Sequence, residues 1–200
     1  MLVKNWINKD YPCINSTDDV KTVLNEMRKH RLDYALVKDN DGKFAGFVYK
    51  STIANLRLDE RINEFVVFPD FYVHSNSHVE EAALTFLETH EPCLAVVTEN
   101  LDIEGIITLQ EILEAFIELT AMDEAGTRIF LKLPDIPGQL KELIDILAAS
   151  KMNILSITTL KEDGYRKISV KVDMTDTEEI AKILQATEIT YDHIAREEGF

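Results

Sequence analysis

Side chains that could catalyse a reaction or hold a metal are scattered along this sequence. The histidines are His30, His74, His78, His90 and His193, and the cysteines are Cys13 and Cys93. His74 and His78 are four residues apart, but only the second falls within a predicted helix, so they do not form an HExxH-type zinc pair. No GxxxxGK[ST] or GxGxxG phosphate loop occurs. The sequence therefore predicts neither a catalytic centre nor a metal site.

The abundant carboxylates restrict the partners that the chain can bind. It has 36 Asp and Glu against 21 Lys and Arg, a formal net charge of −15. Nucleic acids and anionic membrane surfaces attract clustered Lys and Arg, so this charge argues against both partners. From Ile62 through Thr127 there is no Lys or Arg, but there are 14 Asp and Glu. A ligand phosphate beside this segment would need cations from elsewhere in the chain.

The cellular compartment is predicted from what the sequence lacks. Residues Met1 to Trp6 contain no long apolar run typical of a signal peptide, and no later run is long enough to span a membrane. Cys13 and Cys93 have no CxxC spacing, which favours a reducing compartment. We therefore expect a cytoplasmic protein, with ample apolar residues for one large or two small domains.

The elements that position the polar residues repeat along the chain. A shift of 59 residues, without a gap, superimposes Ile14 on Val73 and Gly46-Phe47-Val48 on Gly105-Ile106-Ile107. Each unit predicts the order β-α-β-β-α, in which apolar residues at helical spacing mark the first helix and two short apolar strands follow it. One such unit is too small to bury a core alone, so two units are expected to pack together.

The predicted strands have similar limits in both units. They are residues 11–14, 34–38 and 44–49 in the first, and 71–74, 94–98 and 103–108 in the second. Asn40-Asp41-Gly42 is a typical hairpin turn between the second and third strands of the first unit. In the second unit, Ser77 and Glu80 predict a capping box at the start of the helix.

The two units resemble a tandem pair of CBS domains, often called a Bateman module. The resemblance is carried by the apolar strands at 35–37 and 94–97 and by the segments 41–48 and 105–112, and it covers roughly residues 1–120. It implies one repeat at residues 1–61 and a second at 62–122. In this family the clefts between repeats commonly bind adenosine derivatives, and the pair acts as a sensor.

The resemblance also implies where an adenosyl ligand binds. In the family pattern a Thr or Ser follows the last strand, and an Asp three residues later binds the ribose; Thr108 and Glu111 occupy these positions in the second repeat. In the first repeat they are Tyr49 and Thr52, which do not match. The further residues expected at the adenosyl ligand are Ile14, Lys50, Ser51, Thr52 and Val73. The alternative for Glu111 is a solvated carboxylate on its helix.

The negative charge of the chain decides which adenosyl ligands rank highest. A nucleoside triphosphate carries about four negative charges, and carboxylates within a Debye length of about 8 Å would repel it. Cations for a phosphate must come from the first repeat, where the candidates are Lys9, Lys50, Arg57 and Arg61. We therefore rank AMP, adenosine and S-adenosylmethionine above ATP, while ATP with Mg²⁺ held by carboxylates stays open.

Residues 127–200 follow a different pattern. Alternation predicts strands at 129–133 and 168–172, and further strands are predicted at 154–159 and 189–194. Helical spacing connects Leu140 to Leu147 and Ile180 to Leu184. The order β-α-β-β-α-β is that of a ferredoxin-like unit, so the whole chain is predicted to be a mixed α/β (α+β) protein.

The segment from Leu133 to Leu140 resembles an ACT domain, in which an Asp-x-Pro-Gly turn opens the first helix and an Asn-Ile pair opens the second strand. Pro137 suits the first helical position, and free amides there favour a carboxylate. The resemblance implies an amino-acid site formed by Asp135, Pro137, Gly138, Gln139, Leu140, Asn153 and Ile154. The alternative is that Asp135 only caps the helix and Gly138 only permits close packing.

A CBS pair followed by an ACT unit resembles the acetoin-utilisation-type CBS–ACT proteins, which are small, non-catalytic and regulatory. Both kinds of domain tend to pair with a second copy, so a homodimer is expected. We expect a sensor of a small-molecule effector that needs no cofactor and acts on an unknown protein target. The competing hypothesis is a ligand-free adaptor with vestigial clefts, which the mismatches at Tyr49 and Thr52 favour.

Overall fold

The chain divides into a first unit, Met1–Ala115, and a second unit, Phe116–Phe200, in a computed structural model. The structure describes residues 1–67 and 72–200. Phe71, where the first strand of the second repeat is predicted to begin, lies outside the described residues. The mixed α+β fold class predicted from the sequence is confirmed.

The first unit contains the same arrangement twice. The first copy consists of β1 (Cys13–Asn15), α1 (Val20–His30), β2 (Tyr34–Lys38), β3 (Phe44–Tyr49) and the short α2 (Lys50–Ile53). The second consists of β4 (Tyr72–His74), α3 (Val79–Thr89), β5 (Cys93–Val97), β6 (Ile103–Thr108) and α4 (Leu109–Leu119). Each sheet joins a parallel pair to an antiparallel pair, β1-β2-β3 and β4-β5-β6. The predicted order β-α-β-β-α is therefore confirmed.

Backbone hydrogen bonds reproduce the 59-residue period. The amide of Val20 donates to the carbonyl of Glu60 at 2.9 Å, and 59 positions away the amide of Val79 donates to the carbonyl of Met1 at 3.0 Å. Phe47 and Val67 each donate a backbone amide hydrogen bond to the other's carbonyl, and so do Ile106 and Asn8, which are the residues 59 positions away from them. The N-terminal segment therefore completes the second repeat, and the segment around Glu60–Val67 completes the first.

The two sheets of the first unit share a core. Strand residues alternate between faces, so one face of each sheet packs under its own helices and the other face packs on the opposite sheet. The shared cluster comprises Tyr34, Leu36, Phe44 and Phe47 from the first repeat and Cys93, Ala95, Val97 and Ile106 from the second. The sheets therefore lie face to face, with the helices outside.

The capping box predicted for α3 does not form. His78 is the N-cap residue and its side chain makes no capping bond. The carbonyl of Met1 accepts the amide of Val79, the first residue of the helix. A tertiary contact therefore satisfies an end of the helix that Ser77 and Glu80 were predicted to satisfy.

The second unit is a ferredoxin-like sheet covered by two helices. Its elements are β7 (Gly126–Pro134), α5 (Gln139–Ala149), β8 (Ile154–Glu162), β9 (Tyr165–Val172), α6 (Thr177–Ala186) and β10 (His193–Glu197). The strands form an antiparallel sheet in the order β10-β7-β9-β8. The predicted order β-α-β-β-α-β is confirmed, and β8 is an edge strand.

The last strand begins later than the predicted residue 189. Glu188 has a left-handed φ of 59°, and the amide of Ile189 donates to the carbonyl of Leu184 at 3.0 Å. This is a helix C-cap, so Ile189 belongs to the turn that follows α6 and packs on the core rather than beginning β10.

A buried ion network lies on the other face of this sheet. Lys171 is 0% exposed, and its Nζ donates to the carbonyls of Ala121 at 2.7 Å and Glu124 at 2.6 Å. The same Nζ lies 2.7 Å from Oε2 of Glu197. The Arg128 guanidinium donates to both oxygens of this carboxylate, from Nε to Oε1 and from Nη2 to Oε2. Bonding to Arg128 lowers the pKa of Glu197 to about 2. The network holds the segment before β7 against the strands.

Candidate functional site

The carboxylate of Glu111 is hydrogen-bonded in the structure. Its Oε2 accepts from the amide of Thr108 at 2.8 Å and from the Thr108 hydroxyl, while Oε1 accepts from Nδ2 of Asn8 at 3.0 Å. Thr108 precedes α4 and Glu111 is three residues later, so the pair forms a capping box. A carboxylate has about four acceptor positions, which leaves about one for the two hydroxyls of a ribose. Glu111 is therefore partly buried and structural rather than a solvated carboxylate.

The other residues predicted for the adenosyl site are dispersed. Ile14 and Val73 lie in the cores beneath the helices of their repeats, 2% and 4% exposed. Thr52 is exposed on α2. Lys50 and Ser51 are the members of the predicted set that line a cavity of the first repeat. Within residues 1–67 and 72–200, the predicted adenosyl residues therefore lie in different surroundings, which are two cores, an exposed helix face and a cavity wall.

The cavity beside Lys50 and Ser51 lies where β2 begins and β3 ends. Its volume is about 680 Å³, and its walls also include Arg31, Tyr34 and Tyr49. This size falls within the usual range of small-molecule sites. Tyr34 pairs with Tyr49 in the β2–β3 register, so the hairpin places the two residues side by side. We call this space the tyrosine cavity.

Two cations border the tyrosine cavity. Nζ of Lys50 lies 2.7 Å from Oδ1 of Asp33. Arg31 follows α1 in the left-handed conformation, with φ 58°, and is exposed. Among the described residues Arg31 has no carboxylate partner within ion-pair distance. This cavity, unlike the surroundings of Glu111, can offer positive charge to a phosphate.

The hydroxyl and thiol groups beside the cavity are protonated at neutral pH. Burial raises the pKa of Tyr34 and of Tyr49, and it raises that of the Cys93 thiol to about 12. The hydroxyl of Tyr49 donates to Oε2 of Glu91 at 2.9 Å. These groups can therefore donate hydrogen bonds, but they cannot act as nucleophiles at neutral pH.

The turn before α5 forms part of a second candidate site. A cavity of about 300 Å³ is lined by Asp135, Pro137, Gly138, Gln139 and Leu140 of the predicted set, together with Arg166. Gly138 is the N-cap residue and α5 begins at Gln139, so the first helical position predicted for Pro137 is wrong.

The alternatives considered for this turn are also wrong. The carboxylate of Asp135 does not cap α5, because its Oδ1 accepts from Nε of Arg166 at 2.7 Å. A Cβ on Gly138 would meet no atom within 4 Å, so this glycine is not required for close packing. Its φ of 99° is the reason for glycine at this position.

Asn153 and Ile154 lie at the opposite end of the sheet from this turn. Ile154 pairs with Val172 at one end of β9, whereas Pro134 pairs with Tyr165 at the other end. Seven residues of extended strand separate the two ends, which is about 23 Å. One chain therefore does not bring the predicted ACT residues into a single site.

Sequence reasoning missed Arg31 and Arg166. Arg31 lies in the turn between α1 and β2. The family pattern points only to residues that follow the third strand, so it gives no signal at Arg31. Arg166 could have been found from the hairpin turn Asp163-Gly164, since folding β8 back on β9 places it beside the end of β7. Among residues 1–67 and 72–200, no three His, Cys, Asp or Glu side chains are placed to hold a metal ion, and no helix there is long and apolar enough to cross a membrane.

Comparison with solved structures places the fold among CBS proteins. A CBS domain pair/ACT domain protein from Thermotoga maritima is 38% identical, with a TM-score of 0.56 over 59% of this chain and 98% of that chain. The CBS domains of a transcriptional regulator from Streptococcus pneumoniae are 19% identical, with a TM-score of 0.54 over 57% of this chain and 98% of that chain. The cytosolic domain of the Mg²⁺ channel MgtE, in complex with ATP, is 22% identical, with a TM-score of 0.50 over 55% of this chain and 46% of that chain.

The family model describes the same two repeats. The CBS domain model matches residues 3–59 and 63–118, more than half of the chain. These ranges coincide with the two β-α-β-β-α copies in the structure. The chain therefore belongs to the CBS domain family.

Proposed function

We propose that this protein is a non-catalytic regulatory sensor that binds an adenosyl ligand, AMP before all others, in the tyrosine cavity. The observation that carries the proposal is the position of Arg31 and Lys50 at a cavity of about 680 Å³ with two tyrosines in its wall. CBS domain proteins are regulatory and often bind nucleotides, and the MgtE domain was solved with ATP. The tyrosine cavity replaces Thr108 and Glu111 as the proposed adenosyl site.

The chemistry of the cavity favours one phosphate. Aromatic rings offer apolar faces to a purine, and charge-assisted hydrogen bonds from Arg and Lys hold phosphate oxygens. Asp33 pairs with Lys50, and Glu91 pairs with Tyr49, so two carboxylates lie near the same cavity. These carboxylates would repel a triphosphate, so AMP ranks above ATP. Adenosine and S-adenosylmethionine have no phosphate to pair with the two cations, so AMP ranks above them as well.

Equilibrium dialysis with AMP, adenosine, S-adenosylmethionine and ATP, with and without Mg²⁺, tests this function. We expect saturable AMP binding that Lys50→Ala weakens at least about tenfold, the loss of roughly one charge-assisted hydrogen bond. Lys141→Ala is the matched control, because Lys141 is an exposed lysine of α5 with its own carboxylate partner. No saturable binding of any of the four compounds would contradict the proposal.

We further propose that the second unit is an ACT domain that binds an amino acid between two copies. The edge strand β8 is free to pair with β8 of another chain. Antiparallel pairing of the two β8 strands would bring Asn153 and Ile154 of one copy beside the opposite end of the second copy's sheet. That end carries Asp135 and Gly138 of the second copy. Such a homodimer joins residues that the single chain separates. Thermal shifts with the amino acids, abolished by Asp135→Asn, support this site, and the absence of any shift contradicts it.

The second candidate function is a ligand-free adaptor. It is favoured by Glu111, whose carboxylate is hydrogen-bonded to Thr108 and Asn8. This function predicts that the purified protein binds none of the small molecules above but binds one defined protein. Adenosyl binding in the dialysis experiment would eliminate it.

A further inference from the structure

The outer face of the sheet in the second unit is only partly covered. The helices α5 and α6 pack on its inner face. On the outer face, Lys171 donates hydrogen bonds to the carbonyls of Ala121 and Glu124, so the segment before β7 closes one half of the face. The other half is open and carries Phe130 and Leu160, which are 36% and 64% exposed. This open half therefore presents two large apolar side chains to solvent.

Strand register brings three polar side chains beside these two apolar ones. Ser169 of β9 pairs with Phe130 of β7 on one side and with Thr158 of β8 on the other. Two residues before Ser169, Lys167 pairs with Leu160. Residues two apart in a strand point to the same face of the sheet. The five side chains therefore share the open half of the outer face.

A cavity of about 270 Å³ lies among these side chains, and we call it the phenylalanine cavity. Its walls are Phe130, Thr158, Leu160, Lys167 and Ser169, together with Leu131, Thr159, Ile168 and Asp192. Four strands about 4.8 Å apart, over five residues of β7, cover only about 300 Å². A standard protein interface buries about 800 Å² on each partner. The open half therefore suits a small molecule better than a protein.

The polar groups of the phenylalanine cavity include several hydrogen-bond donors. Oγ of Ser169 accepts from Nη1 of Arg128 at 3.5 Å, so the hydroxyl hydrogen of Ser169 stays available to a ligand. Within residues 1–67 and 72–200, the Thr158 hydroxyl has no hydrogen-bond partner. The ammonium group of Lys167 has three hydrogens, and it pairs with a single carboxylate, that of Glu162. These donors favour a ligand that accepts hydrogen bonds.

The charge beside these donors is positive. Nζ of Lys132 lies 2.9 Å from Oε2 of Glu162, and Lys167 pairs with the other oxygen of the same carboxylate. Two cations therefore share one anion, which leaves one positive charge beside the cavity. A carboxylate on the ligand would balance this charge and would accept from the hydroxyl donors.

The position of Asp192 distinguishes a simple acid from an amino acid. Asp192 precedes β10, which pairs with β7 on the side away from β9, so its backbone lies about two strand spacings, or about 10 Å, from that of Lys167. The ammonium group of an amino acid is attached one carbon from its carboxylate, so it would lie beside the lysines. Like charges in contact weaken binding, and an acid without the ammonium group avoids this repulsion.

We propose that the phenylalanine cavity binds a small apolar monocarboxylate. The carboxylate accepts hydrogen bonds from Ser169, Thr158 and Lys167, and the apolar body packs on Phe130 and Leu160. All of these residues belong to one chain. The site goes beyond the proposed function, because it depends neither on AMP binding nor on a second copy.

Equilibrium dialysis of the full chain with 3-phenylpropionate tests this site. Phenylalanine and phenethylamine, which add an ammonium group and replace the acid with an amine, are tested as competitors, so that their binding elsewhere is not counted. We expect saturable binding of the acid with a Kd on the order of 1 mM, and competition at least about fivefold weaker from the other two compounds. Equal or stronger competition by either compound, or no saturable binding of the acid up to about 10 mM, would overturn the proposal.

Variants at exposed positions of the cavity provide a second readout. Lys167→Met and Thr158→Val each remove a donor, and each should weaken binding of 3-phenylpropionate at least about fivefold. Lys161→Met is the control, because Lys161 lies on the other face of β8 and its side chain is 74% exposed. Asp192→Asn should leave the affinity unchanged or raise it. Unchanged affinity in both Lys167→Met and Thr158→Val, or weaker binding in Asp192→Asn, would contradict the proposal.

Discussion

Nζ of Lys43 and a carboxylate oxygen of Asp102 form an ion pair between positions that are equivalent in the two repeats. The two residues are 59 positions apart, so a chain with identical repeats would place two identical side chains together here. Lys43 holds the pKa of Asp102 below its usual value. The pair thus favours the association of unlike repeats within the first unit.

A charge swap tests this relationship. Lys43→Asp places two carboxylates together and should lower the Tm, because like charges replace an ion pair. The double variant Lys43→Asp with Asp102→Lys restores unlike charges and should recover most of the lost Tm. The effect should shrink in high salt, since both groups are partly exposed to solvent. Equal Tm losses for the single and double variants would contradict a direct interaction.

Removal of Lys171 should strongly destabilise the second unit. Lys171→Met leaves the carbonyls of Ala121 and Glu124 without their donor and removes one partner of Glu197. Breaking a buried ion pair from one side costs about 3–5 kcal/mol. Lys167→Met on the same face of β9 is the control, because Lys167 is exposed and pairs with Glu162. Urea unfolding that gives both variants the same free energy would refute this role of Lys171.

The pH dependence of stability should show the contribution of the ionised Glu197 carboxylate. Its pKa of about 2 lies below the ordinary value of 4.5, so the folded state favours the ionised form. The stabilisation is present above about pH 4.5 and is lost as the pH falls toward about 2. Thermal unfolding of Glu197→Gln should show a lower Tm at neutral pH and a smaller further fall through this window. Parallel profiles for the variant and the original chain would contradict the assignment.

Replacement of Glu111 distinguishes a role of this residue in capping α4 from a role in binding the ligand. Glu111→Ala removes the capping box and the bond to Asn8, and it should cost about 1 kcal/mol of unfolding free energy. AMP affinity should remain within about twofold, because the tyrosine cavity supplies the proposed contacts. Glu114→Ala, on the exposed side of the same helix, is the control for both measurements. A tenfold loss of AMP affinity in Glu111→Ala would return the ribose-binding role to this residue.

The repeated fold was predictable because the 59-residue period and the apolar spacing are local signals. The strands from Tyr34 to Lys38 and from Phe44 to Tyr49 occur where the short apolar runs and the Asn-Asp-Gly turn predict them. The failures have two causes, which are a tertiary contact in one case and an unrecognised local helix cap in the other. Met1 replaces a predicted helix cap, and the C-cap of α6 takes Ile189 out of the last strand.

The candidate site was less predictable because its residues come together only by strand register. Tyr34 and Tyr49 meet through hairpin pairing, and Arg31 joins them from a turn that carries no motif. The predicted pair Thr108 and Glu111 also fits a Thr-x-x-Glu capping box, so one pattern supports two roles. Hydrogen bonding to Asn8, 103 residues away in the sequence, favours the structural role.

A crystal structure of the full chain grown with AMP tests the central claim most directly. We expect electron density for one AMP in the tyrosine cavity, with the phosphate between Arg31 and Lys50 and the base against Tyr49. Density at Thr108 and Glu111 instead, or an empty cavity at saturating AMP, would contradict this account.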